Sequence, residues 1–235
     1  MKSKLRFNYW LVVCVSILLF ATCNFSVAQQ DEFPEDTAKR LQEKYDAMTS
    51  LSFKFNQDTR GELTGRPRTG SGSATFLKSD ETSRMRWDYT NPKKQIILND
   101  GVHFYMYFEE LQQMIISPAE ALEKDLTYSF FAGKGRLESD CYIRPANPEF
   151  QTEKNLDLRV IKLVPIEPHS QVQDIHIWVS ADSLIRRIHI LDHFGTITVL
   201  NLSDIKPDVL RNDSQQATNS LFSFDPPEGT EIIEQ

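Results

Sequence analysis

From Glu35 to Thr49 the apolar positions Ala38, Leu41, Tyr45 and Met48 recur at three- and four-residue steps. That spacing predicts one amphipathic helix, with Pro34 near its start, where a missing N–H costs nothing. After Ser50 the period changes to two: Leu51, Phe53 and Phe55 alternate with Ser52, Lys54 and Asn56. A Gly/Pro/Arg tip at Gly61–Gly70 then leads to further strands at Ser73–Leu77, Met85–Tyr89, Gln95–Leu98, Val102–Phe108 and Gln113–Ile116. Asn99-Asp100-Gly101 has the chemistry of a hairpin turn. Pro118–Asp125 and Leu126–Ala132 break the rhythm as two short helices, the second stopped by Gly133 and Gly135. Strands resume at Leu156–Val164, Asp174–Ser180, Leu184–Leu191 and Thr196–Ser203, and a last short one is expected at Leu221–Phe224. The connections suit antiparallel meanders, and no βαβ rhythm appears. The pattern predicts a mainly β fold with helices: a strongly curved antiparallel sheet of about ten strands, its concave face covered by the inserted helices.

The first residues read as an address. Lys2, Lys4 and Arg6 precede an apolar run from Tyr9 to Ala21, too short for the ~20 residues of a spanning helix. Small residues at Ser26 and Ala28 place the expected signal-peptide cleavage after Ala28, leaving a single domain over 29–235. Cys23 follows Phe20-Ala21-Thr22, a loose likeness to the lipoprotein signal that ends in an acylated cysteine. Acylation there would make the protein a membrane-tethered acceptor or lipid-binding lipoprotein of the same fold.

Composition narrows the classes. The chain has 235 residues, with 26 Lys+Arg against 33 Asp+Glu. Without residues 1–28, which carry three basic and no acidic groups, the balance is 23 − 33 = −10. Phosphate backbones and anionic headgroups repel such a body, so no nucleic-acid partner is expected. With Cys14 and Cys23 in the leader, Cys141 stands alone and forms no internal disulfide; it reads as a small packed hydrophobe. Catalytic motifs and a phosphate loop are absent from the sequence. His176, His189 and His193 share one block of strands and read as imidazoles on a polar sheet face, not as zinc ligands. Asp80-Glu81 and Glu109-Glu110 read as solvated turns. No enzyme, cofactor, catalytic residue or metal is therefore expected.

Large adaptable side chains are concentrated in the first block: Met85, Trp87, Tyr89, Phe104, Met106 and Phe108, then Phe130 and Phe131 in the insert. They suit either a core or a pocket for acyl chains, and burial energetics do not separate the two.

Several segments in fixed order resemble the periplasmic outer-membrane lipoprotein carrier family (LolA). They are Phe53-x-Phe55-x-Gln57, Gly72-x-Ala74-x-Phe76-x-Lys78, Arg84-Met85-Arg86-Trp87-Asp88-Tyr89, Asn99-Asp100-Gly101 before an aromatic strand ending in Tyr107, Phe130-Phe131-Ala132-Gly133-Lys134-Gly135, and Phe222-x-Phe224-x-Pro226-Pro227-x-Gly229. The resemblance implies an unclosed β-barrel with an N-terminal helix and a short helical lid over a hydrophobic cavity. It also implies a monomeric periplasmic carrier. Such a carrier takes acylated lipoproteins from an inner-membrane ATP-driven transporter to an outer-membrane acceptor. The expected cavity residues are Phe53, Phe55, Met85, Trp87, Tyr89, Phe104, Met106, Tyr128, Phe130 and Phe131; Tyr45, Phe131 and Ala132 are the expected lid contacts. Many family members carry Lys-Arg-Pro after the Gly-rich strand, and its arginine bonds lid and helix backbone. Here Lys78 is followed by Ser79-Asp80-Glu81-Thr82-Ser83, so that latch is not carried over. Arg84 or Arg86 are the substitutes at hand, although strand alternation favours the outer, solvated face for both.

Overall fold

The computed structural model describes residues 33–61, 66–79, 82–122, 126–151, 157–167, 172–210 and 213–235. The expected signal peptide, Cys23 and Asp80-Glu81 lie outside them. The described chain opens with α1 (Pro34–Asp46), which carries Glu35 and Asp36 in its first turn, where they favour the positive end of the helix dipole. Six strands follow: β1 (Ser50–Arg60), β2 (Arg68–Leu77), β3 (Arg84–Asn91), β4 (Gln95–Asn99), β5 (His103–Phe108) and β6 (Gln113–Pro118). A 3-10 turn at Ala119–Leu122, α2 (Leu126–Phe131) and α3 (Leu137–Asp140) form the insert. The chain then runs through β7 (Cys141–Pro145), α4 (Pro148–Gln151), β8 (Leu158–Pro165), β9 (Asp174–Ser180), β10 (Ile185–Leu191), β11 (Ile197–Pro207), α5 (Gln215–Leu221) and β12 (Glu231–Glu234).

The twelve described strands form one sheet in the order β12-β6-β5-β4-β3-β2-β1-β11-β10-β9-β8-β7. Its two ends, β12 and β7, do not pair, so the barrel is unclosed. Residues from β1–β3, β5 and β7–β11 nevertheless share a single apolar cluster, which requires the sheet to curl around it. Strand alternation sends Phe53, Phe55, Met85, Trp87 and Phe104 inward, together with Ala38, Leu41 and Tyr45 from α1. The opposite residues of the first block, Ile96, Leu98, Tyr107 and Met114, make a second cluster on the outer face, closed by Phe222.

Three sequence expectations need correction. The alternation at Leu221–Phe224 is not a strand: α5 occupies the preceding residues, and the two phenylalanines dock onto the outer cluster, Phe224 against Tyr107 at 5.0 Å between ring centroids. The final strand lies later and pairs parallel with β6, Ile232 opposite Met114, so the sheet is not wholly antiparallel. Finally, β7 was not anticipated; it pairs with β8 at the open edge, with buried Cys141 and Ile143 alternating with exposed Tyr142 and Arg144.

Candidate functional site

The inner face is built around small residues that let large ones meet. In register, Phe53 lies opposite Ala74 and Ala74 opposite Trp87; Phe55 lies opposite Gly72 and Gly72 opposite Tyr89. With almost no side chain between them, rings two strands apart touch. Phe55 reaches Trp87 at 4.7 Å and Tyr89 at 4.9 Å, and Phe53 meets Trp87 edge-on at 5.6 Å. Gly72 admits no substitute, since a Cβ there would fall 1.8 Å from the carbonyl oxygen of Asp88.

Above these rings sits the lid, α2 with its exit at Ala132–Gly135. Phe131 inserts between Phe76 at 5.2 Å, Phe53 at 5.4 Å and Tyr45 at 5.9 Å, and is 1% exposed. Phe130 packs on Tyr45 at 5.0 Å. Tyr128 is buried, and its hydroxyl accepts from Asn99 Nδ2 at 2.6 Å, fastening the start of the lid to the end of β4. Gly133, at φ +76°, turns the chain out of the helix.

Neither Arg84 nor Arg86 supplies the fastenings. Lys78 Nζ donates to the Tyr45 carbonyl, its stem lying under Gly133, where a Cβ would come within 2.9 Å of Lys78 Cδ. Burial pushes the Lys78 ammonium down from its ordinary value. Ser83, itself buried, donates from Oγ to the Ala132 carbonyl at 2.9 Å. Beyond the lid, Leu137 N donates to Gln42 Oε1 at 3.0 Å, and Arg136 pairs with Asp46. Tyr45 also ties α1 to the sheet, its hydroxyl accepting from Ile185 N at 3.1 Å, and burial pushes that phenol up.

Arg84 and Arg86 stand on the other face, and neither reaches the lid. Arg86 Nη1 donates to the carbonyls of Leu221 and Ser223 at 3.0 and 3.1 Å, while its Nε holds Asp88 at 2.8 Å. Arg84 donates to Asn219 Oδ1 at 2.9 Å and lies over the Phe222 ring at 5.2 Å. They are outward, as alternation indicates, but the C-terminal segment covers them, so the solvated reading is corrected.

The expected cavity residues thus come together, with Met106 and Tyr89 at the margin of the cluster. What they enclose is nearly full. A hollow of about 40 Å³ remains beneath the lid, lined by Phe130, Phe131, Leu137, Cys141 and the β8–β10 residues Leu163, Ile175, Ile177, Ile185 and Ile188. That is room for about three waters, not for an acyl chain; the lid's own rings fill the concave face. The aliphatic wall from β8–β10, and Phe76, were missed as site residues. Their signal was present in the alternation of Ile175, Ile177 and Val179 along β9. Cys141 is inert, its thiol pushed up to about 11 by burial.

His193 is exposed at a turn, but His176 and His189 are not on a polar face. His176 is 1% exposed, and Phe150 of α4 lies over it at 4.5 Å and over His189 at 4.9 Å. Among the described residues no group of His, Cys, Asp and Glu is arranged to hold a metal. No described helix is long and apolar enough to cross a membrane.

The fold is thus a curled, unclosed sheet whose apolar interior is plugged by a short helix. Residues 46–225 match the protein family described as "Outer membrane lipoprotein carrier protein LolA", and the chain belongs to that family. It is a family of carriers, not of enzymes. Two proteins named outer-membrane lipoprotein carrier protein are similar along nearly the whole chain. That of Alkalilimnicola ehrlichii is 27% identical over 237 residues, covering 100% of this chain and 97% of its own. That of Methylococcus capsulatus is 26% identical over 218 residues, 93% of this chain and 96% of its own. Among solved structures, an uncharacterized conserved protein from Thermus thermophilus covers 86% of this chain and 98% of its own, with a TM-score of 0.49 and 12% identity. A LolA superfamily protein from Nitrosomonas europaea covers 80% and 98%, with a TM-score of 0.38 and 19% identity.

Proposed function

We propose that residues 1–28 direct export and are removed, and that residues 29–235 act in the periplasm as a monomeric carrier of acylated lipoproteins. Cargo would come from an ATP-driven transporter in the inner membrane and pass to an acceptor at the outer membrane. No covalent chemistry is required. The observation that supports this reading is the insertion of Phe131 between Phe53 and Phe76, in the place a hydrocarbon guest would take.

Energetics favour exchange of one for the other. Uncovering two phenylalanines costs about 1.5–3 kcal/mol each, and each buried methylene contributes about 0.8 kcal/mol, so about four to eight methylenes balance the lid. An acyl chain of ordinary membrane length exceeds that number. A guest taken from water therefore displaces the lid, whereas one taken from a bilayer, already buried, gains little by the exchange.

The test is a photo-crosslinking side chain in place of Phe131, and separately of Trp87, in living cells. Acylated proteins are expected in the crosslinked bands; capture of none would overturn the reading. Mass spectrometry of the mature protein should find a free Gln29 terminus. A diacylglyceryl group on Cys23 would instead make the protein a tethered acceptor.

A further inference from the structure

The outer face of β8–β10 carries polar side chains beneath an aromatic cover. Lys162, His176 and His189 lie side by side in register on neighbouring strands, with Trp178 and Arg187 the next pair along. Alternation with Ile175, Ile177 and Val179, which face the inner cluster, points His176 and Trp178 outward. Even so, they are 1% and 2% exposed, because α4 roofs them. Its Phe150 covers both imidazoles and meets Trp178 edge-on at 5.3 Å.

Asn147, the residue before α4, joins the roof to the strands. Its N–H donates to His176 Nε2 at 3.4 Å, its Oδ1 accepts from Lys162 Nζ at 3.2 Å, and its Nδ2 donates to Glu149 Oε1 at 3.2 Å. A helix of four residues has no stability of its own, so α4 depends on such contacts.

The bond to His176 exists in one protonation state. Nε2 accepts only while it carries no proton, which assigns the hydrogen of the neutral ring to Nδ1, on the side of Asp174. A second proton, on Nε2, sets N–H against the N–H of Asn147. The charge it brings meets groups already balanced. Asp174 is bonded to Lys162 at 3.0 Å, and Glu149 and Arg187 are the other charges facing the two rings. Burial under the roof holds both imidazoles below their ordinary 6.5, and opening it returns them to water.

We propose that α4 is an acid-released hatch: a proton on His176 Nε2 expels Asn147 and lifts Phe150, baring His189 and Trp178 on the outer face while the sheet stays paired. The device lies on the far side of β8–β10 from the lid and does not depend on the carrier reading. Its sign follows from linkage. The open form binds protons more readily, so the closed form is at full strength above 6.5. It loses ground as pH falls from there through the lowered values, by up to about tenfold per pH unit for each histidine.

Of the three tryptophans, Trp10 lies in the expected signal peptide, so Trp87→Phe leaves Trp178 the sole reporter in residues 29–235. In that variant, acrylamide quenching of Trp178 should rise severalfold between pH 7.5 and 5.5 while far-UV circular dichroism holds steady. In the unaltered protein, hydrogen-exchange mass spectrometry over the same interval, corrected for the intrinsic pH dependence of exchange, should show segment 147–151 opening and β1 and β2 unchanged. His176→Gln/His189→Gln, which cannot titrate, should abolish both responses, and Phe150→Ala should leave Trp178 quenchable already at pH 7.5. Protection of 147–151 that persists down to the pH of global unfolding overturns the proposal without needing a variant. So does an acid response that survives the double histidine variant, or a Trp178 that stays shielded in Phe150→Ala.

Discussion

Lys78 and Ser83 each spend a polar group on a backbone carbonyl of the helix-and-lid seam, at Tyr45 and Ala132. Because both carbonyls lie in an apolar neighbourhood, losing either donor leaves an acceptor desolvated and unpaired. Ser83→Ala should lower stability by about 1–3 kcal/mol and raise uptake of an apolar dye at fixed concentration, as the lid opens more often. Urea unfolding and dye fluorescence check the two halves. Lys78→Met, which keeps the stem under Gly133 and removes only the ammonium, should act in the same direction. Lys78 was legible as part of a Gly-x-Ala-x-Phe-x-Lys pattern, but its partner was not, because Tyr45 lies 33 residues earlier. Ser83 was illegible altogether. In sequence it ends a short polar, acidic segment, and only the fold turns its hydroxyl inward.

At the scale of elements, β1 was readable because one side faces the inner cluster and the other does not, whereas β4–β6 also bury Ile96, Leu98, Tyr107 and Met114 in an outer cluster. The C-terminal segment misled for a related reason. Phe222 and Phe224 have the spacing of a strand but dock side chains onto the outside of the sheet, and their backbone is held by Arg86, not by a ladder. Arg86→Ala should therefore release a defined piece of chain. Amides of α5 and of residues 222–224 should exchange with solvent faster, while those of β1 and β2 stay protected, as read by hydrogen-exchange mass spectrometry. The loss in global stability should be about 1.5–3 kcal/mol, the range for hydrogen bonds to a charged donor. α2 is a different kind of element. Six residues do not make a stable helix in water, so its form depends on the rings it seats in the sheet. That dependence suits the exchange of lid for guest proposed above.

For the molecule as a whole, acid is the expected weakness. Burial pushes His176 and His189 below their ordinary 6.5. Asp174 opposes this, His176 Nδ1 lying 3.4 Å from its Oδ1, while Lys162, bonded to Asp174 at 3.0 Å, and Arg187 add to it; Glu149 also faces the pair. A histidine held neutral in the fold binds fewer protons than in the unfolded chain. Its contribution is complete above 6.5 and is lost as pH falls from there through the lowered value. Melting temperature should fall between pH 7.5 and 5.5, and the double variant His176→Gln/His189→Gln should have a flatter profile. His176 and His189 were misjudged in the sequence because alternation cannot tell a solvated face from one roofed by Phe150 of α4, and β9 is buried on both sides.

β7 and β12 never meet. A closed barrel has a girth set by its strand number and stagger, and widening it means rupturing a row of backbone bonds. This one has a gap in its circumference. The two halves can splay about β1 and β11 and the interior can swell from three waters' worth of space without any strand losing its neighbour. On the carrier reading proposed above, the same pleated wall would then fit cargoes with different numbers of tails.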